Sequence, residues 1–351
     1  MSPVTSEKPD SDATAGPDSA ALRESDLALI EALQVDPRAP WTRIASAVGI
    51  DATTAARRWA RISSLGLAWL TAYPTVPATV VGYLDLACRP DILTAVADEL
   101  CRHPSVFSVE CTTGQHQLRL SLIANDLAAL DDLVSTTLGR LPGITATHLA
   151  IATRLYREGS GWLVHALTPQ QRTALRACPA APRPATAARW EGAEAAALVR
   201  SLNADARRSY ADLARDCGMS ESAVRRRVNR LATTHELLFR CDIANGLAGW
   251  PVIATYYANV RSDLMDQTGR ALAALPDTRL CVAVAGDHNL IISAWLPNPA
   301  GCADFEARMA ACQPLLEITN RSISTRTRKR MGRLLGPQGV SIGHIPITSA
   351  A

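Results

Sequence analysis

YADLARDCGMSESAVRRRVNRL, residues 210–231, sets three adjacent arginines (Arg225, Arg226, Arg227) and a fourth, Arg230, among a few aliphatic residues. Read as a helix opening at Ser220, each residue advances about 100° around the axis. With Val224 at zero, Val228 falls near ~40° and Leu231 near ~340°, one narrow apolar stripe. Arg226 and Arg230 fall at about 200° and 240°, on the opposite side, with Ser222 and Ala223 beside them. Ser220 is a good N-cap, and Glu221 stands where the helix dipole favours an anion. Upstream, Tyr210, Leu213 and Ala214 pattern a short helix that stops at Cys217-Gly218, glycine being suited to the left-handed stop. A short helix, a Gly-containing turn and a capped, Arg-bearing second helix make the helix-turn-helix outline, whose second helix enters the major groove. Two readings stand at this point: a solvated charged face, common on exposed helices, or a surface that meets phosphates and bases.

The same pattern occurs twice. Leu29–Ile62 (LIEALQVDPRAPWTRIASAVGIDATTAARRWARI) lies without a gap over Leu198–Leu231 (LVRSLNADARRSYADLARDCGMSESAVRRRVNRL). Apolar identities such as Leu29/Leu198, Leu33/Leu202 and Ala45/Ala214, with Gly49/Gly218, show a shared fold. Asp36/Asp205 and Arg38/Arg207 also recur. Arg57/Arg226, Arg58/Arg227 and Arg61/Arg230 recur as well, and packing does not demand arginine there. The candidate DNA-contacting residues are therefore Thr53, Thr54, Arg57, Arg58 and Arg61 in the first copy, and Ser220, Ser222, Arg225, Arg226, Arg227 and Arg230 in the second. Trp59 stands where Val228 is and reads as packing; Ala56 replaces Arg225.

The repeat continues downstream. HPSVFSVECTTGQHQLRLSL (103–122) lies over LPDTRLCVAVAGDHNLIISA (275–294), and each reads as two short strands around a Gly turn. A strand and helix precede each pair (VVGYLDLAC and DILTAVADELC; VIATYYANV and DLMDQTGRALAAL), and a helix and strand follow. The order β-α-β-β-α-β is the ferredoxin-like plan. The predicted fold class is α+β: two tandem units, each a winged helix-turn-helix followed by a ferredoxin-like βαββαβ domain. The predicted bounds are a disordered tail at 1–22, helix-turn-helix domains at 23–73 and 193–246, and βαββαβ domains at 78–155 and 250–333. A linker with a helix at LTPQQRTALRAC fills 156–192, and a C-terminal tail fills 334–351. That helix reads as a leading helix of the second copy.

Composition narrows the function. A formal net charge of +3 over 351 residues makes DNA affinity a matter of local patches. Nine cysteines without a C-x-x-C pair fit a reducing cytoplasm rather than a disulfide framework or zinc site. No apolar run approaches the roughly 20 residues of a membrane helix, and the N-terminus lacks the apolar core of a signal peptide. There is no G-x-G-x-x-G, P-loop or nucleophile motif. No cofactor, metal or membrane partner is expected, and the expected location is the cytoplasm, on the nucleoid.

A helix-turn-helix followed directly by βαββαβ, with LNADARRSYADLARDCGMSESAVRRRVNRL, the strand-entry segment LLFRCDIANGLAGWP and the turns TGQHQL and AGDHNL, resembles the Lrp/AsnC (feast/famine) family of prokaryotic transcription regulators. The resemblance implies double-stranded DNA as partner and pairing of the α+β modules. It also implies homo-oligomers and a small effector, usually an amino acid, bound between modules near the Gly turn. The effector residues it points to are Gly114, Gln115, His116 and Gln117, and Gly286, Asp287, His288 and Asn289. The sequence departs from the family where Gln117 and Asn289 replace the acid of the turn, and His116 and His288 its tyrosine; one charged partner for an amino acid is thereby lost. Siroheme decarboxylases resemble the same architecture, which makes a tetrapyrrole enzyme the first rival; a metabolite sensor that does not bind DNA is the second. For the basic stretch Arg326–Arg333 the two readings are a solvated strand end and an extra phosphate contact.

Overall fold

The computed structural model describes residues 22–75, 79–176, 193–234 and 236–350. The tail before Leu22 and the Pro- and Ala-rich linker Cys178–Gly192 lie outside the described residues. The first unit opens with α1 (Glu24–Val35), α2 (Trp41–Val48), α3 (Ala52–Ser64) and β1 (Ala68–Pro74). Its α+β half follows as β2 (Val80–Cys88), α4 (Leu93–Arg102), β3 (Val106–Thr112), β4 (Leu118–Ala124), α5 (Leu127–Asp132) and β5 (Ile144–Arg157). After α6 (Pro169–Leu175), the second unit repeats the plan. Its helical part is α7 (Ala193–Ala204), α8 (Tyr210–Cys217), α9 (Glu221–Thr233) and β6 (Leu237–Ile243). Its α+β half is β7 (Val252–Asn259), α10 (Met265–Ala273), β8 (Thr278–Ala285), β9 (Leu290–Leu296), α11 (Gly301–Cys312) and β10 (Glu317–Arg330).

Neither ferredoxin-like sheet keeps a free edge. β10 pairs with β3, and β5 pairs with β8, so the order β10-β3-β4-β2-β5-β8-β9-β7 closes on itself through β7–β10. Eight antiparallel strands form a barrel within one chain, which removes the exposed edges that invite aggregation. Strand alternation sends one set of side chains outward under the helices, where Leu84, Leu86, Leu118, Leu120 and Leu122 meet α4 and α5. The other set points inward, where Tyr83, Tyr257, Val282, Val284 and Ile291 cluster.

The two helical units meet through their wings. β1 and β6 pair antiparallel from Ala68↔Ile243 to Pro74↔Leu237. One apolar core then runs through both units, joining Leu29, Ile44 and Ile62 to Leu198, Leu213 and Leu231. Trp162 belongs to that core and meets Trp250 and Trp295 edge-on at ring-centroid distances of 5.1 and 5.0 Å.

Three sequence expectations change. The helix α6 exists, with Thr168 forming the capping box that the Thr-Pro start implied. It packs on the first unit rather than leading the second: Arg172 pairs with Glu31 at 2.5 Å and Gln171 donates to the Ala47 carbonyl at 2.8 Å. The C-terminal tail is built structure, adding β11 (Arg333–Leu335) and β12 (Ser341–His344) beside β10. Both readings of Arg326–Arg333 fail for most of its cations. Lys329 and Arg330 are buried, Arg328 pairs with Asp98, and Arg333 donates to the Ala204 carbonyl. β10 carries Arg328, Lys329 and Arg330, and β11 carries Arg333, beneath α4 and the helical layer, so they serve the interior.

Candidate functional site

The helix-turn-helix geometry forms in both copies. Gly49 (φ 80°) and Gly218 (φ 67°) hold the left-handed stops after α2 and α8. Asp51 caps α3 by accepting from the Thr54 amide at 2.8 Å, and Ser220 caps α9 by accepting from the Ala223 amide at 3.3 Å. Ala55, Trp59 and Ile62 anchor α3, while Val224, Val228 and Leu231 anchor α9. Thr53, Arg57 and Arg61 are exposed on α3, as are Ser222, Arg225, Arg226 and Arg230 on α9; Thr54, Arg58 and Arg227 are half-buried and Ser220 is exposed at its cap.

These cations are not equivalent. Arg61 pairs with the buried Asp26 at 2.8 Å, and Arg225 pairs with Glu221 at 2.7 Å over the Tyr210 ring. Arg58 keeps its Nη1 buried without a hydrogen-bond partner. Arg57, Arg226 and Arg230 have no ion pair among the described residues, which leaves their guanidinium groups available to a duplex.

The Gly turns lie together at one mouth of the barrel. The His116 ring lies tilted against His148 at 4.5 Å between centroids, His148 Nδ1 lies 3.1 Å from Asp287 Oδ2, and His288 Nδ1 lies 2.8 Å from Thr319 Oγ1. Burial holds the His116 imidazole below its ordinary range. The space among them is only about 40 Å³, room for a water or so and too small for an amino acid. Gln117 and Asn289 have a structural task in both copies: Gln117 Oε1 accepts from the Cys88 amide at 2.9 Å, and Asn289 Oδ1 from the Val260 amide at 2.9 Å. Of the other expected turn residues, Gly114 takes φ 95° and Gln115 offers its carbonyl to Gln117, while Gly286 backs onto Ala150 of β5. Within one chain, the turns therefore do not make the expected amino-acid pocket.

The large internal space was not read from the sequence. A cavity of about 580 Å³ lies in the barrel interior toward the helical layer. Arg119, Arg240, Arg279, Arg330, Glu110 and Glu158 line it, alongside Tyr73, Tyr83 and Trp295. Arg240 and Arg279 share the buried Asp242, and Arg240 also reaches Glu158 at 3.4 Å. Burial opposes charge on Asp242, but Arg240, Arg279 and Arg330 outweigh it and hold the carboxyl below its ordinary range. Burial, reinforced by Arg240 and Arg330, brings Arg279 down to about 9 despite Asp242. Arg119 stands between two tyrosines, 6.0 Å from the Tyr83 ring and 5.2 Å from the Tyr257 ring. A signal for this site existed: LRLSL sets Arg119, and FRCDI both Arg240 and Asp242, at alternate positions between apolar residues.

Two helix-turn-helix units set on a closed pair of ferredoxin-like modules define a two-unit helix-turn-helix architecture. The AsnC-type helix-turn-helix domain matches at residues 24–62 and 196–232, and the Lrp/AsnC ligand binding domain at 83–162. The chain belongs to the Lrp/AsnC family. It is 27% identical over 136 residues to the HTH-type transcriptional regulator LrpA of Pyrococcus horikoshii, covering 37% of this chain and 95% of that protein. LrpA of Pyrococcus abyssi is 26% identical over 132 residues, covering 36% and 94%. The siroheme decarboxylase NirDL, solved with an iron-uroporphyrin III analogue, shares the whole double architecture. Its TM-score is 0.57 at 15% identity, over 88% of this chain and 93% of that one, a likeness of fold. Among the described residues, no helix is long and apolar enough to cross a membrane, and no His/Cys/Asp/Glu group is arranged to hold a metal.

Proposed function

We propose that this protein is a sequence-specific DNA-binding transcription regulator, with α3 and α9 as recognition helices in the major groove. The observation that carries the reading is the recurrence of an anchored helix with free outward guanidinium groups: Arg57 in the first copy, Arg226 and Arg230 in the second. Packing does not require those arginines, whereas phosphates and guanine edges do use them. Because β1–β6 pairing joins the units inside one chain, a single chain presents two unlike readers to two half-sites. A small metabolite bound in the α+β half modulates that binding. The direct test is selection of a duplex from a random pool, followed by gel-shift titration at two salt concentrations. A steep loss of affinity with salt supports phosphate contacts; failure to enrich any sequence sinks the reading.

One observation favours a second reading, an enzyme or sensor for a tetrapyrrole: the arginine-lined cavity sits within a fold shared with NirDL. No histidine is among the described residues lining that cavity, so its acid–base groups would be glutamates and tyrosines. An absorption spectrum with added iron uroporphyrin, showing a shifted band and turnover, would favour this reading over the first.

A further inference from the structure

We infer that the barrel cavity is a binding site for an organic acid, an apolar body carrying an anionic head, and that its occupant touches the barrel and the DNA-reading layer together.

Three buried polar atoms on the cavity wall lack a hydrogen-bond partner among the described residues: Arg119 Nη2, Arg279 Nη1 and Thr255 Oγ1. Arg119 and Arg279 are each 5% exposed and Thr255 1%. A buried donor left unpaired costs about 1–3 kcal/mol, and more when charged, so native interiors rarely keep such groups without a use. Two of the three are guanidinium donors, which accept no proton and form their strongest bonds with carboxylates and phosphates. The acids nearby are already engaged. Asp242 serves Arg240 and Arg279, Glu158 accepts from Tyr73 at 2.8 Å, and Glu110 accepts from Ser324 at 2.6 Å. Most of the rest of the wall is aliphatic or aromatic, including Ile253, Leu280 and Trp295, with the hydroxyls of Ser108, Ser121 and Ser293 set among them. An anion with an apolar body satisfies both halves of this surface; a cation or a neutral sugar does not.

Position gives the site its meaning. Tyr73 comes from β1, Arg240 from β6 and Asn203 from α7, all in the helical layer, while Arg119, Arg279 and Arg330 come from the barrel. An occupant that binds both walls biases how the layers sit on one another, the differential contact that coupling requires. That consequence rests on the proposed regulator function; the binding itself does not.

The test uses the whole chain without DNA. 8-Anilinonaphthalene-1-sulfonate is the anionic probe and N-phenyl-1-naphthylamine its neutral counterpart, each titrated by fluorescence. One sulfonate dye should bind per chain, about tenfold or more tighter than the neutral dye. R119M removes a charge that makes no hydrogen bond among the described residues, and the preference for the anion should collapse. S293F keeps every charge and fills the space, and should exclude both dyes. Equal affinity of wild type for the two dyes overturns the assignment. So does sulfonate binding that is unchanged in R119M, or in S293F should R119M fail to fold. Because no duplex is present, these outcomes are separate from success or failure of DNA binding.

Discussion

Arg38 and Arg207, the same position in the two copies, each cross into the other helical unit. Arg38 donates to the carbonyls of Ala206 (2.5 Å) and Arg208 (3.2 Å) and lies 4.4 Å from the Tyr210 ring centroid. Arg207 donates to the carbonyls of Pro37 (2.9 Å) and Ala39 (3.1 Å) and lies 3.9 Å from the Trp41 ring centroid. Trp41 and Tyr210 are themselves equivalent positions, so the exchange follows a pseudo-two-fold axis. The repeated arginine therefore fastens the two helix-turn-helix units to each other. Burial, and then Arg38, brings Arg207 down to about 10, so it remains a cation at neutral pH. Arg207→Ala should lower unfolding free energy by about 1–3 kcal/mol, from lost charged hydrogen bonds and ring contact. Urea denaturation measures it, and Arg207→Lys should recover only part. A loss under about 0.5 kcal/mol, the ordinary surface range, would show that the clamp contributes nothing.

The free and the tied arginines of α9 should behave differently on DNA. Arg226→Ala should weaken binding to the selected duplex by about 1–3 kcal/mol and, if Arg226 reads a base, relax specificity at one position. Arg225→Ala should cost less, because Arg225 is already held by Glu221 and Tyr210. Arg57→Ala should act on the other half-site. Gel shifts with half-site variants separate these effects. Equal losses for Arg225 and Arg226, or none for either, would contradict the assignment of the outward face.

Sequence periodicity reached the helices and the strand order because each depends on local spacing. Val224, Val228 and Leu231 are three and four residues apart and all are buried. The same logic could not reach the barrel closure, since β3–β10 and β5–β8 join strands more than a hundred residues apart with no local mark. Without that closure Arg119, Arg279 and Arg330 have no neighbours in the linear sequence, so their cavity leaves no local pattern there. The turns are the opposite case: His116 and His288 recur in both copies within local spacing, in turns whose amides, Gln117 and Asn289, fasten strand ends.

Asp242 tests how far the junction depends on one carboxylate. It is fully buried between Arg240 and Arg279. Asp242→Asn keeps the shape and leaves the guanidinium groups under-compensated. Removing one partner from a buried ionic group typically costs about 3–5 kcal/mol. Denaturant titration should show a loss of that order, with the midpoint shifted and the slope retained. A loss below about 1 kcal/mol would mean that Glu158 and water replace the carboxylate.

His344 gives the junction an acid dependence whose sign is fixed. Its Nε2 lies 2.8 Å from Asn203 Oδ1 on the cavity wall, so the ring donates there. Burial, then Arg333 and Lys329, brings its pKa down to about 4. The unfolded chain takes this proton near pH 6.5, while the folded chain resists it until about pH 4. Within that window the unfolded state binds more protons, so stability falls as pH falls. Below the window both states are protonated and the contribution levels off. His103 and His116 are also lowered by burial and add to the trend, so the measurement compares the wild type with His344→Gln, which keeps a donor but cannot titrate. Between pH 7 and 4.5 the variant should lose less stability than the wild type in urea unfolding. Parallel pH curves would show that His344 is protonated in the folded chain as readily as in the unfolded one.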